Sequence, residues 1–121
     1  MPSVVFFRER DGRVPVLDWL AGLPHEANDK CVAQIERLRL HGHMLRRPYA
    51  DYLRDGVYEL RAKRRRVNYR LLYFFHGQQV VVLSHGITKQ QAEVPPLEIE
   101  RARQRKTLFE ADPDRHTHVE S

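Results

Sequence analysis

The chain has one cysteine, Cys31, among its 121 residues. No internal disulfide can form, so packing and hydrogen bonds must hold the fold, and the cysteine usage fits a reducing cytoplasm. No apolar run approaches the ~18–20 residues that a membrane span needs. The short apolar run near the N-terminus has no basic stretch before it and no small-residue cleavage site after it. It reads as a strand rather than a signal peptide. Internal repeats and low-complexity segments are absent. Acids are the minority charge, with 16 Asp and Glu against 21 Lys and Arg. A composition of 41% hydrophobic and 31% charged residues fits a globular chain and excludes a disordered one. This length predicts one domain, over residues 1–111, with 112–121 as a frayed, flexible tail.

What is present is a concentration of positive charge. The stretch from Tyr58 to Arg70, YELRAKRRRVNYR, holds six basic residues and one acid, Glu59. Its net charge equals the +5 of the whole chain, so everything outside it cancels. The charge lies in a strand-like pattern, which suggests a polyanion held on a rigid platform, nucleic acid first.

Residues 4–7 are β-branched and aromatic, and Asp11-Gly12 follows as a turn; this predicts an opening strand. Pro15 suits the start of a short helix with Val16, Leu17, Trp19 and Leu20 as its apolar face, ended by Gly22 and Pro24. A second helix runs from Pro24 to Gly42, with Cys31, Ile35 and Leu38 at helical spacing. Residues 43–56 read as irregular, with Pro48 and Gly56 as breakers.

The period then changes to two. Tyr58, Leu60 and Ala62 alternate with Glu59, Arg61 and Lys63; after an Arg64-Arg65 corner, Val67, Tyr69, Leu71 and Tyr73 alternate with Asn68, Arg70 and Leu72. An even loop pairs Lys63 with Arg66, Arg61 with Asn68 and Glu59 with Arg70. Arg61, Arg70 and Glu59 then share one face, and the apolar set the other. His76-Gly77 makes the next turn, and 80–83, apolar on both faces, reads as a central strand. Residues 86–94 read as a polar connection. Pro95-Pro96 opens a last helix with Leu97, Ile99, Ala102 and Phe109 as a partial stripe. The predicted class is α+β, a small antiparallel sheet flanked by helices, in the order β-α-α-β-β-β-α.

That order, with YELR at 58–61, YRLLYFF at 69–75 and VVLSHGITKQQAEVPPLEIERAR at 81–103, resembles the RelE/ParE superfamily of type II toxin–antitoxin toxins, the HigB-like, phage-derived group above all. The resemblance spans about residues 4–109. It implies a bacterial cytoplasmic toxin that cleaves mRNA on the ribosome without metal or other cofactor, neutralised by a helix-turn-helix, HigA-like antitoxin. ParE-like members instead inhibit DNA gyrase, and a plain nucleic-acid-binding module is a third possibility.

Cleavage of this kind uses the ribose 2′-OH as nucleophile, so a base, cations for the phosphorane and an acid for the leaving oxygen are needed. By the resemblance, Arg61 and Arg70 line the active face and Lys89 adds a basic group. Arginine offers phosphate a fixed fork of donors, and lysine can serve as a base only where burial or nearby positive charge lowers its pKa. The competing reading makes these solvated strand charges, with Arg70 paired to Glu59. Lys63, Arg64, Arg65 and Arg66 at the hairpin tip are the expected RNA-docking residues, against a merely solubilising role. His85 could serve as a general acid or base, since its reference pKa lies near neutrality, but a structural role at a strand end is the expected one. His41 and His43 lack the partners for a metal site. His116 and His118 read as solvated, and the aromatics and Trp19 as core. The resemblance also implies a C-terminal tyrosine and further lysines after Lys89; here Pro95-Pro96-Leu97, Gln90 and Glu93 stand instead.

Overall fold

A computed structural model describes residues 2–89 and 93–120. The elements are β1 (Ser3–Phe7), α1 (Pro15–Ala21), α2 (His25–His41), a 3-10 turn (Gly42–Met44), β2 (Ala50–Arg54), β3 (Val57–Arg64), β4 (Val67–His76), β5 (Val80–Lys89), α3 (Pro96–Ala111) and β6 (Thr117–His118). The α+β class is as predicted. The sheet order is β2-β3-β4-β5-β1-β6, antiparallel throughout except that β1 runs parallel to β5.

Both faces of this sheet are covered. Helices α1 and α2 bury Val16, Leu20, Cys31 and Leu38 against Leu60, Ala62, Leu71, Tyr73, Val81 and Leu83. On the other face α3 lays Phe109 on Phe7, Phe74 and Val82, and Ile99 and Ala102 on Val57 and Leu72. Full burial of a side chain such as Phe109 contributes roughly 1.5–3 kcal/mol. Strand β4 is therefore apolar on both sides from Leu71 to Phe74, as a central strand must be. Leu97, predicted in the α3 stripe, points away and is exposed.

Four predicted features need correction. The hairpin closes one residue later than expected, which shifts every pairing partner by two: Arg64 pairs with Val67, Lys63 with Asn68, and Arg61 with Arg70. The turn is Arg65-Arg66, and Arg65 takes a positive φ of 57°. A shift of two keeps every side chain on its expected face, which is why alternation alone could not fix it. Residues 43–56 are not all irregular, because Ala50–Arg54 adds to β3 as an edge strand. Strand β5 continues through Gly86 to Lys89 in place of the predicted polar connection.

The last correction concerns the C-terminus. His116 is buried and stacked on Phe7 at 5.0 Å, and its Nδ1–H donates to the Arg8 carbonyl at 2.8 Å. Arg8 in turn donates to the Arg115 carbonyl, and β6 pairs with β1. The segment predicted as a frayed tail therefore docks on the sheet, and His116 is not solvated.

Candidate functional site

Directly opposed residues of β3, β4 and β5 point to the same side of the sheet. Three cross-strand rows follow on the α3 side: Glu59, Leu72 and His85; then Arg61, Arg70 and Ile87; then Lys63, Asn68 and Lys89. The apolar contacts of α3 reach the first row through Ile99 and Ala102, with Val94, just before α3, packed against them. Beyond it the sheet presents the basic rows.

Glu59 organises them. Its side chain is only 5% exposed and uses both oxygens: Arg61 Nε donates to Oε2 at 2.8 Å and Arg70 Nε donates to Oε1 at 3.2 Å. One buried carboxylate thus sets the orientation of two guanidinium groups that face each other across the ladder. Arg61 also meets Asp51 at 3.4 Å, and Arg47 pairs with Asp51 at 2.8 Å. Cations still outnumber carboxylates on this face. Burial draws the Arg70 pKa down, Glu59 opposes this and Arg61 reinforces it; an arginine stays charged regardless.

Lys89 ends β5 in the third row. Its Nζ is enclosed and has no hydrogen-bond partner among the described residues. Burial lowers its pKa first and the charge of Arg70 lowers it further, while Glu59 and Glu93 oppose them. Arg61, Arg70 and Lys89 are therefore on one face; alternation predicts this of the two arginines, and for Lys89 it was implied only by the resemblance.

The predicted docking set divides. Lys63 is exposed on the basic face, and Arg65 and Arg66 are exposed at the turn. Arg64 points to the other face, where its Nε donates to Glu26 of α2 at 2.6 Å. It holds the hairpin to α2. Sequence reasoning missed the double role of Glu59, and missed Asp51 and Arg47 because β2 itself went unseen.

The remaining candidates are structural. His43 stacks on Phe75 at 3.7 Å, and among the described residues no group of three or more His, Cys, Asp or Glu could hold a metal ion. Burial pushes the Cys31 thiol up to about 12, which removes it as a nucleophile. His85 accepts from Ser84 Oγ–H on Nδ1 at 2.8 Å and donates Nε2–H to Glu98 at 3.0 Å. Burial first, and then Arg105, lower its pKa to about 4, so it is neutral at pH 7.

The sign of its linkage follows. The unfolded chain, with His85 near 6.5, binds the extra proton before the folded one does. Stability is therefore full above about pH 6.5 and is lost as pH falls toward about 4, by up to ~1.4 kcal/mol per pH unit. Urea titrations across that window should show this slope, and His85→Gln should flatten it. An unchanged slope would mean that other groups carry the acid lability.

The family model of phage-derived Gp49-like proteins (DUF891) matches residues 18–107. The chain belongs to this family. The Gp49-like family is RelE-like and toxin-like. No curated protein matches the chain. The Gp49-like region starts within α1 and ends within α3, so it contains the two basic rows, Glu59 and Asp51. Strands β1 and β6 of this Gp49-like protein lie outside it. No helix among its described residues is long and apolar enough to cross a membrane. Gln90 falls outside the described residues, and Glu93 lies exposed before α3.

Proposed function

We propose that the chain is a HigB-like toxin of a bacterial type II toxin–antitoxin pair, acting in the cytoplasm as a ribosome-dependent, metal-independent mRNA endonuclease. The observation that carries this is the Glu59 bridge: two arginines oriented by one buried carboxylate, beside a lysine amine that is enclosed and unpartnered among the described residues. A group of fixed cations with a depressed lysine suits phosphoryl chemistry.

The ribose 2′-oxygen attacks phosphorus while its proton passes to Lys89 Nζ. The P–O5′ bond breaks, the leaving 5′-oxygen takes a proton from solvent water, and the strand ends as a 2′,3′-cyclic phosphate and a 5′-hydroxyl. Arg61 and Arg70 hold the two non-bridging oxygens and offset the growing charge. Lys63, Arg65 and Arg66 steer the complex onto ribosomal RNA. A helix-turn-helix antitoxin with an acidic or amphipathic segment silences the toxin by covering the Arg61 and Arg70 surface.

Lys89 gives a pH test. A base must be unprotonated, so the cleavage rate should rise with pH and level off below the ordinary lysine value of 10.5, since burial and Arg70 lower this pKa. Lys89→Arg keeps the charge but cannot titrate in this range, and should lose that rising limb. A wild-type rate that does not vary with pH would remove Lys89 from the role of base.

A second reading has its own support. His85 is committed to Ser84 and Glu98, so it is not available as a general acid. A non-catalytic toxin that occludes another target, such as DNA gyrase, needs no such acid. Primer extension on message from a translation extract separates the two. Discrete cleavage sites are expected; intact message with inhibited supercoiling would favour the second.

A further inference from the structure

Strand β3 runs past the end of β2, and a cleft of about 300 Å³ opens at that edge. Its lining includes Gln34, Pro48, Tyr49, Lys63 and the two site arginines. Tyr49 is firmly placed there. Its carbonyl accepts from Arg61 N–H at 2.8 Å, its own N–H donates to the Arg46 carbonyl at 3.0 Å, and the Arg37 guanidinium lies 3.9 Å from its ring centroid. Arg37 covers one side of the ring, yet the residue stays 37% exposed. Gln34 Oε1 is buried with no hydrogen-bond partner among the described residues.

An aromatic ring on a rigid backbone, a proline wall, amide groups and flanking cations are what a flat heterocycle attached to a phosphate requires. We infer that this cleft takes the nucleobase adjoining the phosphate held by Arg61 and Arg70, with Tyr49 as the stacking platform and Gln34 Oε1 accepting from an amino group on the base edge. The inference rests on the RNA reading and names its base subsite. The volume suits a small ligand group at the lower end of the usual range for ligand pockets.

The test uses the full chain and short single-stranded RNAs, each carrying 2-aminopurine at one of three successive positions. Stacking on tyrosine quenches this fluorophore. Wild-type protein should quench it at one position. Tyr49→Ala should lose the quenching and bind about 10-fold more weakly, which is within the stacking energy of a single base. Tyr49→Phe should restore both. An oligonucleotide with an abasic residue at that position should bind wild type and Tyr49→Ala alike.

Arg70→Ala separates the two claims. If it weakens binding while Tyr49→Ala quenches and binds as wild type does, the subsite is wrong and the RNA reading survives. If wild type fails to bind, the subsite is wrong and the ribosome-dependent reading survives; if Arg70→Ala binds as well as wild type does, the RNA reading and the subsite fall together.

Discussion

Replacing Arg70 with alanine should abolish growth arrest when the protein is induced without its antitoxin. Removing one preorganised donor from a developing oxyanion typically costs ~10²–10³-fold in rate, or roughly 2.7–4 kcal/mol. Arg70 is oriented by Glu59 and lies opposite Arg61, and the proposed function gives it that role. Its loss also leaves Glu59, 5% exposed, with Arg61 as its remaining guanidinium partner, so stability should fall by ~1–3 kcal/mol. Activity and folding must therefore be read together. Arg70→Lys keeps the charge without the fork and should retain partial toxicity. Thermal melting of both variants shows whether they fold. A folded Arg70→Ala protein that arrests growth as wild type does would remove Arg70 from the site.

Gly86→Ala should destabilise the fold severely, although no hydrogen bond is lost. A β-carbon at Gly86 would lie 2.2 Å from Cδ2 and Cε3 of Trp19. The indole cannot easily retreat. Its Nε1–H donates to Thr88 Oγ1 at 3.1 Å, and its edge meets Tyr69 at a centroid distance of 6.3 Å. Overpacking of a fixed ring costs ~1–3 kcal/mol, occasionally more. For a domain of this size that lowers Tm by roughly 4–15 °C. Trp19 is the single tryptophan of the chain, so its emission should shift red as it loses its seat on β5. Unchanged melting and emission would mean that the α1–β5 contact is looser than described.

The legible and illegible parts of this fold divide along physical lines. Alternation placed Glu59, Arg61 and Arg70 on one face, because period two decides facing wherever the other side must be buried. It could not choose between registers that differ by two residues, so the facing of Arg61 and Arg70 came only with the structure. Strand β2 was invisible because its sequence, ADYLR, has little intrinsic strand character; its pairing with β3 makes it a strand. The C-terminal dock was missed for a similar reason, since His116 and Arg8 are 108 residues apart and nothing local announces their bond. Lys89 was found by resemblance, but its enclosed amine depends on three strands at once. Arg64 shows the opposite error: a charge run looked uniform, while period two sends Arg64 to α2 and Lys63 to the basic face.

The claim that joins these observations is that Arg61, Arg70 and Lys89 form an RNA-cleaving site. Single-turnover cleavage of a ribosome-bound message, with analysis of the product ends, tests it most directly. The account expects 2′,3′-cyclic phosphate and 5′-hydroxyl ends from wild type, and at least ~100-fold slower cleavage by folded Arg70→Ala. Intact message at full ribosome occupancy, or equal rates from the two proteins, would contradict it.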